Sequence, residues 1–188
     1  MPVEIEAKIK VETLYPIRTQ LEELGAKFVA DYMENNVIFD TEDRSLLAAD
    51  KGLRVRSAKN VQNGEEICTV TYKGPRRHGP LKSRPETEMR VESFTAAIEL
   101  LEALKFTQVL LFEKKRQSWE IGGCKVELDE LPYLGCYVEV EGPSEMAVQQ
   151  VQEKLGLGQR PIVKTAYVGL MMTYLQDRGE SGRAVRFT

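Results

Sequence analysis

Cysteine is scarce in this chain and histidine scarcer, with Cys68, Cys124 and Cys136 the three thiols and His78 the single imidazole. Three thiols at wide spacing suit neither a disulfide framework nor a zinc pair, so they read as buried packing groups. No stretch approaches the ~18 apolar residues of a membrane span, and the opening MPVEIEAKIK has no apolar signal segment, which makes a soluble cytoplasmic protein the expectation. An excess of positive charge is also missing. Lys and Arg number 26 against 29 Asp and Glu, a net charge of −3, which gives no reason to expect nucleic-acid or anionic-membrane partners. Neither G-x-x-x-x-G-K-[ST] nor G-x-G-x-x-G occurs, so no backbone cradle for phosphate is on offer. Any bound anion must be held by side chains.

What is present is enough apolar material, 42% of 188 residues, for one folded domain. Strict alternation over 3–11 predicts a strand, and helical spacing of Leu14, Ile17, Leu21 and Leu24 predicts a helix stopped at Gly25. Further strands are expected over 28–40, 53–57, 66–73, 84–91, 107–121, 124–130 and 136–141. Helices are expected over 45–49, 94–104, 145–155 and 165–175, with Ser144 as an N-cap. The Gly/Pro-rich basic stretch 74–83 reads as a mobile loop and 177–188 as a flexible tail after a domain of residues 1–176. Trp119, Cys124, Met171 and Met172 read as packing residues, and His78 as a loop residue. Eight antiparallel strands with flanking helices make the class mainly β (α+β).

Charge, unlike fold class, is distributed unusually. Acids at Glu4, Glu6, Glu86, Glu88, Glu127, Asp129, Glu139 and Glu141 share strand faces with bases at Lys8, Arg54, Arg56, Lys73, Arg84, Arg90, Lys114, Arg116 and Lys125. Spacing of i, i+2 puts each set on one face, with apolar residues opposite. For any single strand, a charged face looking at water accounts for this. For the whole set it accounts poorly, because Glu-x-Glu pairs recur at the first and last strands and Arg-x-Arg and Lys-x-Arg pairs lie between them. Neighbouring carboxylates raise one another's pKa unless a cation neutralises them. Mg²⁺ or Mn²⁺ suits carboxylate oxygens, and clustered Arg and Lys suit phosphate. A closed barrel would bring Glu4 and Glu6 near Glu139 and Glu141, with a cationic wall opposite.

These residues resemble the CYTH superfamily, the triphosphate tunnel metalloenzymes. The resemblance rests on Glu4-Ile5-Glu6-Ala7-Lys8, followed in order by Leu53-Arg54-Val55-Arg56, Thr71-Tyr72-Lys73-Gly74, Arg84-Pro85-Glu86-Thr87-Glu88, Lys114-Lys115-Arg116, Glu127-Leu128-Asp129 and Glu139-Val140-Glu141. It covers about residues 3–175. The opening VEIEAKIKV and Phe39-Asp40-Thr41 look most like the class IV adenylyl cyclase group (CyaB type).

The resemblance implies an eight-stranded tunnel with a charged interior. It implies metal held by Glu4, Glu6, Glu139 and Glu141, with Glu88 as a further ligand. Lys8, Arg54, Arg56, Lys73, Arg84, Lys114 and Arg116 would grip the triphosphate. Lys8, Arg56, Arg116 and Asp129 would act at the reacting phosphorus, and Asp129, Glu86 or Glu88 would support a second metal or orient the nucleophile. Attack by a ribose 3′-hydroxyl would convert ATP to cyclic AMP and pyrophosphate. Attack by water would make the chain an inorganic or thiamine triphosphatase, and a module binding polyphosphate without turnover is the third possibility. The partner is then a small triphosphate (ATP, tripolyphosphate or thiamine triphosphate), and the chain a monomer or homodimer. Arg76, Arg77 and Lys82 of the basic loop are expected to meet water, while Lys164 is a candidate phosphate ligand because the resemblance lays the last helix across the tunnel.

Overall fold

A computed structural model describes residues 3–77, 79–180 and 184–188. In chain order the elements are β1 (Val3–Val11), α1 (Tyr15–Glu23), β2 (Lys27–Asp40), α2 (Ser45–Ala48), β3 (Gly52–Asn60), β4 (Glu66–Lys73) and β5 (Lys82–Val91). Then follow α3 (Phe94–Ala103), β6 (Thr107–Ile121), β7 (Cys124–Leu131), β8 (Gly135–Glu141), α4 (Glu145–Lys154), α5 (Tyr167–Asp177) and β9 (Ala184–Val185). Local chemistry sets the boundaries. Ser93 and Ser144 cap α3 and α4 by accepting the amides of Ala96 and Ala147, which satisfies donors a helix start leaves open. Gly122 and Gly123, at φ of 58° and 73°, make the tight β6–β7 turn that a residue with a Cβ resists.

The strands β1 to β8 form an eight-stranded antiparallel barrel in the order β2-β3-β4-β5-β1-β8-β7-β6, closed by pairing of β2 with β6. The first strand is therefore flanked by β5 and by the last long strand, β8. Its partnership with β5 stops at Glu6. Beyond that point Ile162 bridges to Ile9, and Val163 donates to the Lys8 carbonyl.

Apolar faces of the strands look outward onto helices. Ala7, Ile9, Val126, Leu128, Val138 and Val140 pack against α1 and α4 in one cluster that also holds Trp119 and Cys124. Val37, Phe39, Leu53 and Val55 pack against Ala97 and Leu101 of α3. Each such side chain fully buried stabilises the fold by roughly 1.5–3 kcal/mol. A third cluster differs in kind: Leu110, Phe112, Leu131 and Tyr137 occupy the same alternate positions as the inward charges of their strands, and Met171 and Leu175 of α5 pack onto them. Helix α5 thus seals one end of the barrel.

The tail was expected to be loose. Instead, Ala184–Val185 runs parallel to Leu111–Phe112 on a free edge of β6, and Val185 is buried in the α5 cluster. The signal was a two-residue apolar pair in a polar segment, too short for periodicity to register. His78 lies outside the described residues.

The sealing helix gives a stability test. Met171→Ala removes a side chain that is 0% exposed, whereas Met172, one position on, is 38% exposed. Met171→Ala should cost about 2–5 kcal/mol in urea unfolding, and Met172→Ala should change stability by less than about 0.5 kcal/mol. Equal effects at the two positions would contradict the docked α5.

Candidate active site

Ion pairs between strands that are not neighbours fix the direction of the charged faces. Lys73 of β4 donates to both carboxylate oxygens of Glu4 on β1, at 3.0 and 2.9 Å. Arg116 of β6 reaches Glu139 of β8 at 2.7 Å. Each of these pairs skips a strand, and Lys8, Glu34, Lys114 and Asp129 on the same faces are buried while helices cover the opposite, apolar faces, so the solvated-face reading fails and the charges line the inside of the barrel.

At the centre, Arg116 grips Asp129 through two parallel hydrogen bonds of 2.7 and 2.6 Å. Lys114 bridges Glu34 and Asp129 at 3.2 and 3.3 Å, and Arg56 pairs with Glu34 at 3.2 Å while its Nε donates to Asn36. Lys8 lies 3.7 Å from Glu139 and 4.1 Å from the ring centre of Tyr167, whose hydroxyl donates to Asp129 at 2.9 Å. Exposures of 1% for Lys8 and Lys114, 2% for Glu34 and 0% for Asp129 remove these groups from bulk water, where surface pairs are worth little.

Around this centre lie two further groups. On the β1 side, Glu4 is held by Lys73, which also contacts Glu86 at 2.5 Å, and Glu6 by Lys82 at 2.5 Å. On the β3–β4 side, Arg54 contacts Thr71 at 3.0 Å and Glu88 at 3.5 Å. Arg54 Nε and Thr69 Oγ1 are buried without a hydrogen-bond partner. Orphaned donors beside a cationic wall are what an anionic ligand satisfies.

Electrostatics divides the acids in two. Burial raises the Glu34 carboxyl, but Arg56, Lys114 and Arg116 outweigh it and hold the group well below the usual range. Burial likewise opposes ionisation of Glu139, and Arg116 and Lys8 more than compensate. Glu6 goes the other way: burial and then Glu139 raise it, against the pull of Lys82. Glu141 too is raised, by burial first and by Glu4, Glu86 and Glu6. On the cationic side, burial and Arg56 bring the Arg54 guanidinium down to about 10.

The two raised acids stand directly opposite one another, Glu6 on β1 against Glu141 on β8. Glu4, Glu6, Glu139 and Glu141 offer only carboxylate oxygen from two adjacent strands, a donor set that fits a hard divalent cation such as Mg²⁺ or Mn²⁺. Among the described residues no group of three or more acids is gathered in metal-binding geometry. The reason is visible, since three of the four carboxylates are drawn toward Lys73, Lys82 and Arg116.

Not every candidate converges. Arg84 turns its guanidinium to the backbone carbonyls of Gly74 and Asp50, so it braces the loops at the tunnel rim. Glu88, whose side chain is 45% exposed, sits with Arg54 and Thr71, apart from the β1–β8 acids. Lys164 is exposed and donates to the Gly79 carbonyl. Lys82, expected to meet water, is inside instead. Glu34, Asn36 and Tyr167 were missed. Glu34 stands in the pattern Tyr32, Glu34, Asn36 on one face of β2, but a single acid among polar neighbours carries no pairing signal, and nothing in the sequence marks Tyr167.

The CYTH domain model matches residues 2–166. The chain belongs to the CYTH domain family. A protein of Methanocaldococcus jannaschii named "Putative adenylate cyclase" is 27% identical over 152 residues, 81% of each chain. Among solved structures, a Pyrococcus horikoshii protein superposes with a TM-score of 0.79 at 26% identity, covering 91% of this chain and 99% of its own. A "Putative adenylyl cyclase" from Hippeastrum, described as having a dominant triphosphatase activity, superposes with a TM-score of 0.66 at 17% identity over 96% of this chain and 97% of its own. CYTH members are typically enzymes acting on triphosphates with divalent metal ions, and the tunnel here has that family's architecture.

Glu34 supplies the prediction for this region. Its depressed carboxyl contributes stability that is present above the unfolded-state pKa and lost as pH falls. Glu34→Gln should cost about 3–5 kcal/mol at pH 7 by leaving Arg56, Lys114 and Arg116 under-compensated. The variant's stability should also depend less on pH between about 5 and 2 than the wild type's. Parallel acid profiles for the two proteins, by chemical unfolding across that range, would contradict the network.

Proposed function

We propose that this chain is a divalent-metal-dependent enzyme of the class IV adenylyl cyclase type, converting ATP to cyclic AMP and pyrophosphate inside the barrel. The observation that carries the reading is the facing of two walls. Carboxylates of β1 and β8 lie on one side, and Arg54, Arg56, Lys114 and Arg116 of β3 and β6 on the other, with unpartnered donors at Arg54 and Thr69.

On this reading Glu4, Glu6, Glu139 and Glu141 hold Mg²⁺ or Mn²⁺, which when bound supplies charge neutralisation at the phosphoryl oxygens. Arg54, Arg56 and Lys73 take the phosphate chain, with Lys8 beside the reacting phosphorus. Arg116 has fixed partners in Asp129 and Glu139, so it presents a preorganised guanidinium to charge developing in the transition state. Asp129 acts as a positioning residue, because all its near contacts orient Arg116, Lys114 and Tyr167. A cyclase then requires the ribose 3′-hydroxyl to lie in line with the α-phosphorus.

Hydrolysis of tripolyphosphate or thiamine triphosphate is the second reading. What favours it is that Glu34, Asn36, Arg56, Lys114, Arg116 and Asp129, joined to one another by ion pairs and hydrogen bonds, include no apolar side chain that would take a nucleoside base. The triphosphatase activity of the Hippeastrum protein supports the same outcome.

Product analysis with ATP and with tripolyphosphate, each with Mg²⁺ and with Mn²⁺, separates the two. Cyclic AMP and pyrophosphate support the cyclase, and orthophosphate release the triphosphatase; no turnover of either substrate would leave a binding module. For the active substrate, Arg56→Ala should lower kcat/KM by about 2–4 kcal/mol of transition-state stabilisation, and Arg56→Lys should recover only part of it, because the planar fork is gone. Turnover within about twofold of wild type in Arg56→Ala, roughly 0.4 kcal/mol, would remove the cationic wall from the chemistry.

A further inference from the structure

Lys82 is the first residue of β5, and its register sets it directly opposite Glu6. Its side chain is 8% exposed, and Nζ donates to Glu6 Oε1 at 2.5 Å. On the far side of Glu6 stands Glu141, and Glu139 lies one alternate position along the same strand. The ammonium therefore sits among the acids that suit a divalent cation.

Tethered monovalent charges leave this group of four acids incompletely paired. Lys82 and Lys73 serve Glu6 and Glu4, and Glu141 has no cation within ion-pair distance among the described residues. A divalent ion brings twice the charge to the same oxygens, so it can displace a lysine that has somewhere else to go. The backbone need not move for this. Leu81, immediately before Lys82, is 2% exposed in the core cluster beneath β1, so β5 starts from a fixed point and the displacement is confined to the flexible four-carbon stem. Swinging away from Glu6 frees an ammonium inside a lumen built to hold phosphate.

We propose that Lys82 is a tethered counter-ion standing in the divalent-cation site: it occupies the Glu6 oxygen that the metal takes, is displaced on metal binding, and then pairs with a phosphate of the substrate. Metal and triphosphate bind cooperatively as a result, since each removes an obstacle to the other. The inference rests on the proposed metal-dependent function and adds a competition that the function does not require.

The test is Mn²⁺ binding to the full-length chain by titration calorimetry, without and with saturating tripolyphosphate. Without tripolyphosphate, Lys82→Met should bind Mn²⁺ about tenfold more tightly than wild type, a typical coupling between competing sites. Lys82→Arg should stay within about threefold of wild type, because it keeps a competing cation. Tripolyphosphate should then raise Mn²⁺ affinity more in wild type than in Lys82→Met. Unchanged or weaker Mn²⁺ binding by Lys82→Met, in a wild type that binds the ion, overturns the inference and leaves the proposed function standing. A wild type that binds no Mn²⁺ even with tripolyphosphate overturns both. Should Lys82→Met fail to fold, Lys82→Gln gives the same reading.

Discussion

Between Arg116 and Asp129 two short hydrogen bonds hold a guanidinium in the middle of the barrel, and the rest of the interior is arranged around that pair. Asp129 also takes Lys114 and the Tyr167 hydroxyl, and Arg116 reaches across to Glu139. A bidentate pair in low dielectric fixes orientation as well as charge. Its cost is desolvation of every member, which the network offsets only while no partner is removed. Evolutionary and physical economy would favour apolar side chains in such a core; that charge stands there instead points to a ligand.

The fold serves this interior by turning the usual β-barrel arrangement inside out. Hydrophobic burial is moved to the outer faces, where α1, α4 and α3 cover the strands, so the lumen is released from the task of holding the protein together. Helix α5 is the exception. It docks on inward-facing Leu110, Phe112, Leu131 and Tyr137 and brings Tyr167 against Lys8 and Asp129. One end of the tunnel is thereby apolar and closed, and the charged groups lie on its inner side.

Much of this was legible in the chain. Alternation placed β1, β6, β7 and β8 nearly to the residue, because a strand with one charged and one apolar face carries the strongest period-two signal available. The motif order carried the family, and the paired acids and bases carried the sign of each wall. Legibility failed where neighbours in space are not neighbours in pattern. Glu34 became central because β2 pairs with β6 and sets it opposite Lys114. Tyr167 and Val185 gained their roles from where the C-terminal segment crosses the barrel. Lys82 was misjudged for its surroundings, since Gly and Pro on one side hid the fact that the strand had already begun. Arg84 kept its place on the inward face, yet its donors were claimed by the Gly74 and Asp50 carbonyls, a choice set by loop geometry that spacing does not encode.

On the proposed function, the charge gathered in the lumen is relieved by metal and triphosphate together. Thermal unfolding measured with tripolyphosphate or ATP, with and without Mn²⁺, reads that relief directly. Ligand and metal together at about a hundredfold above the dissociation constant should add roughly 2.7 kcal/mol of stability and raise Tm by several degrees. No rise in Tm with any triphosphate in the presence of Mg²⁺ or Mn²⁺ would contradict the account, and would leave the interior charges as structural ion pairs.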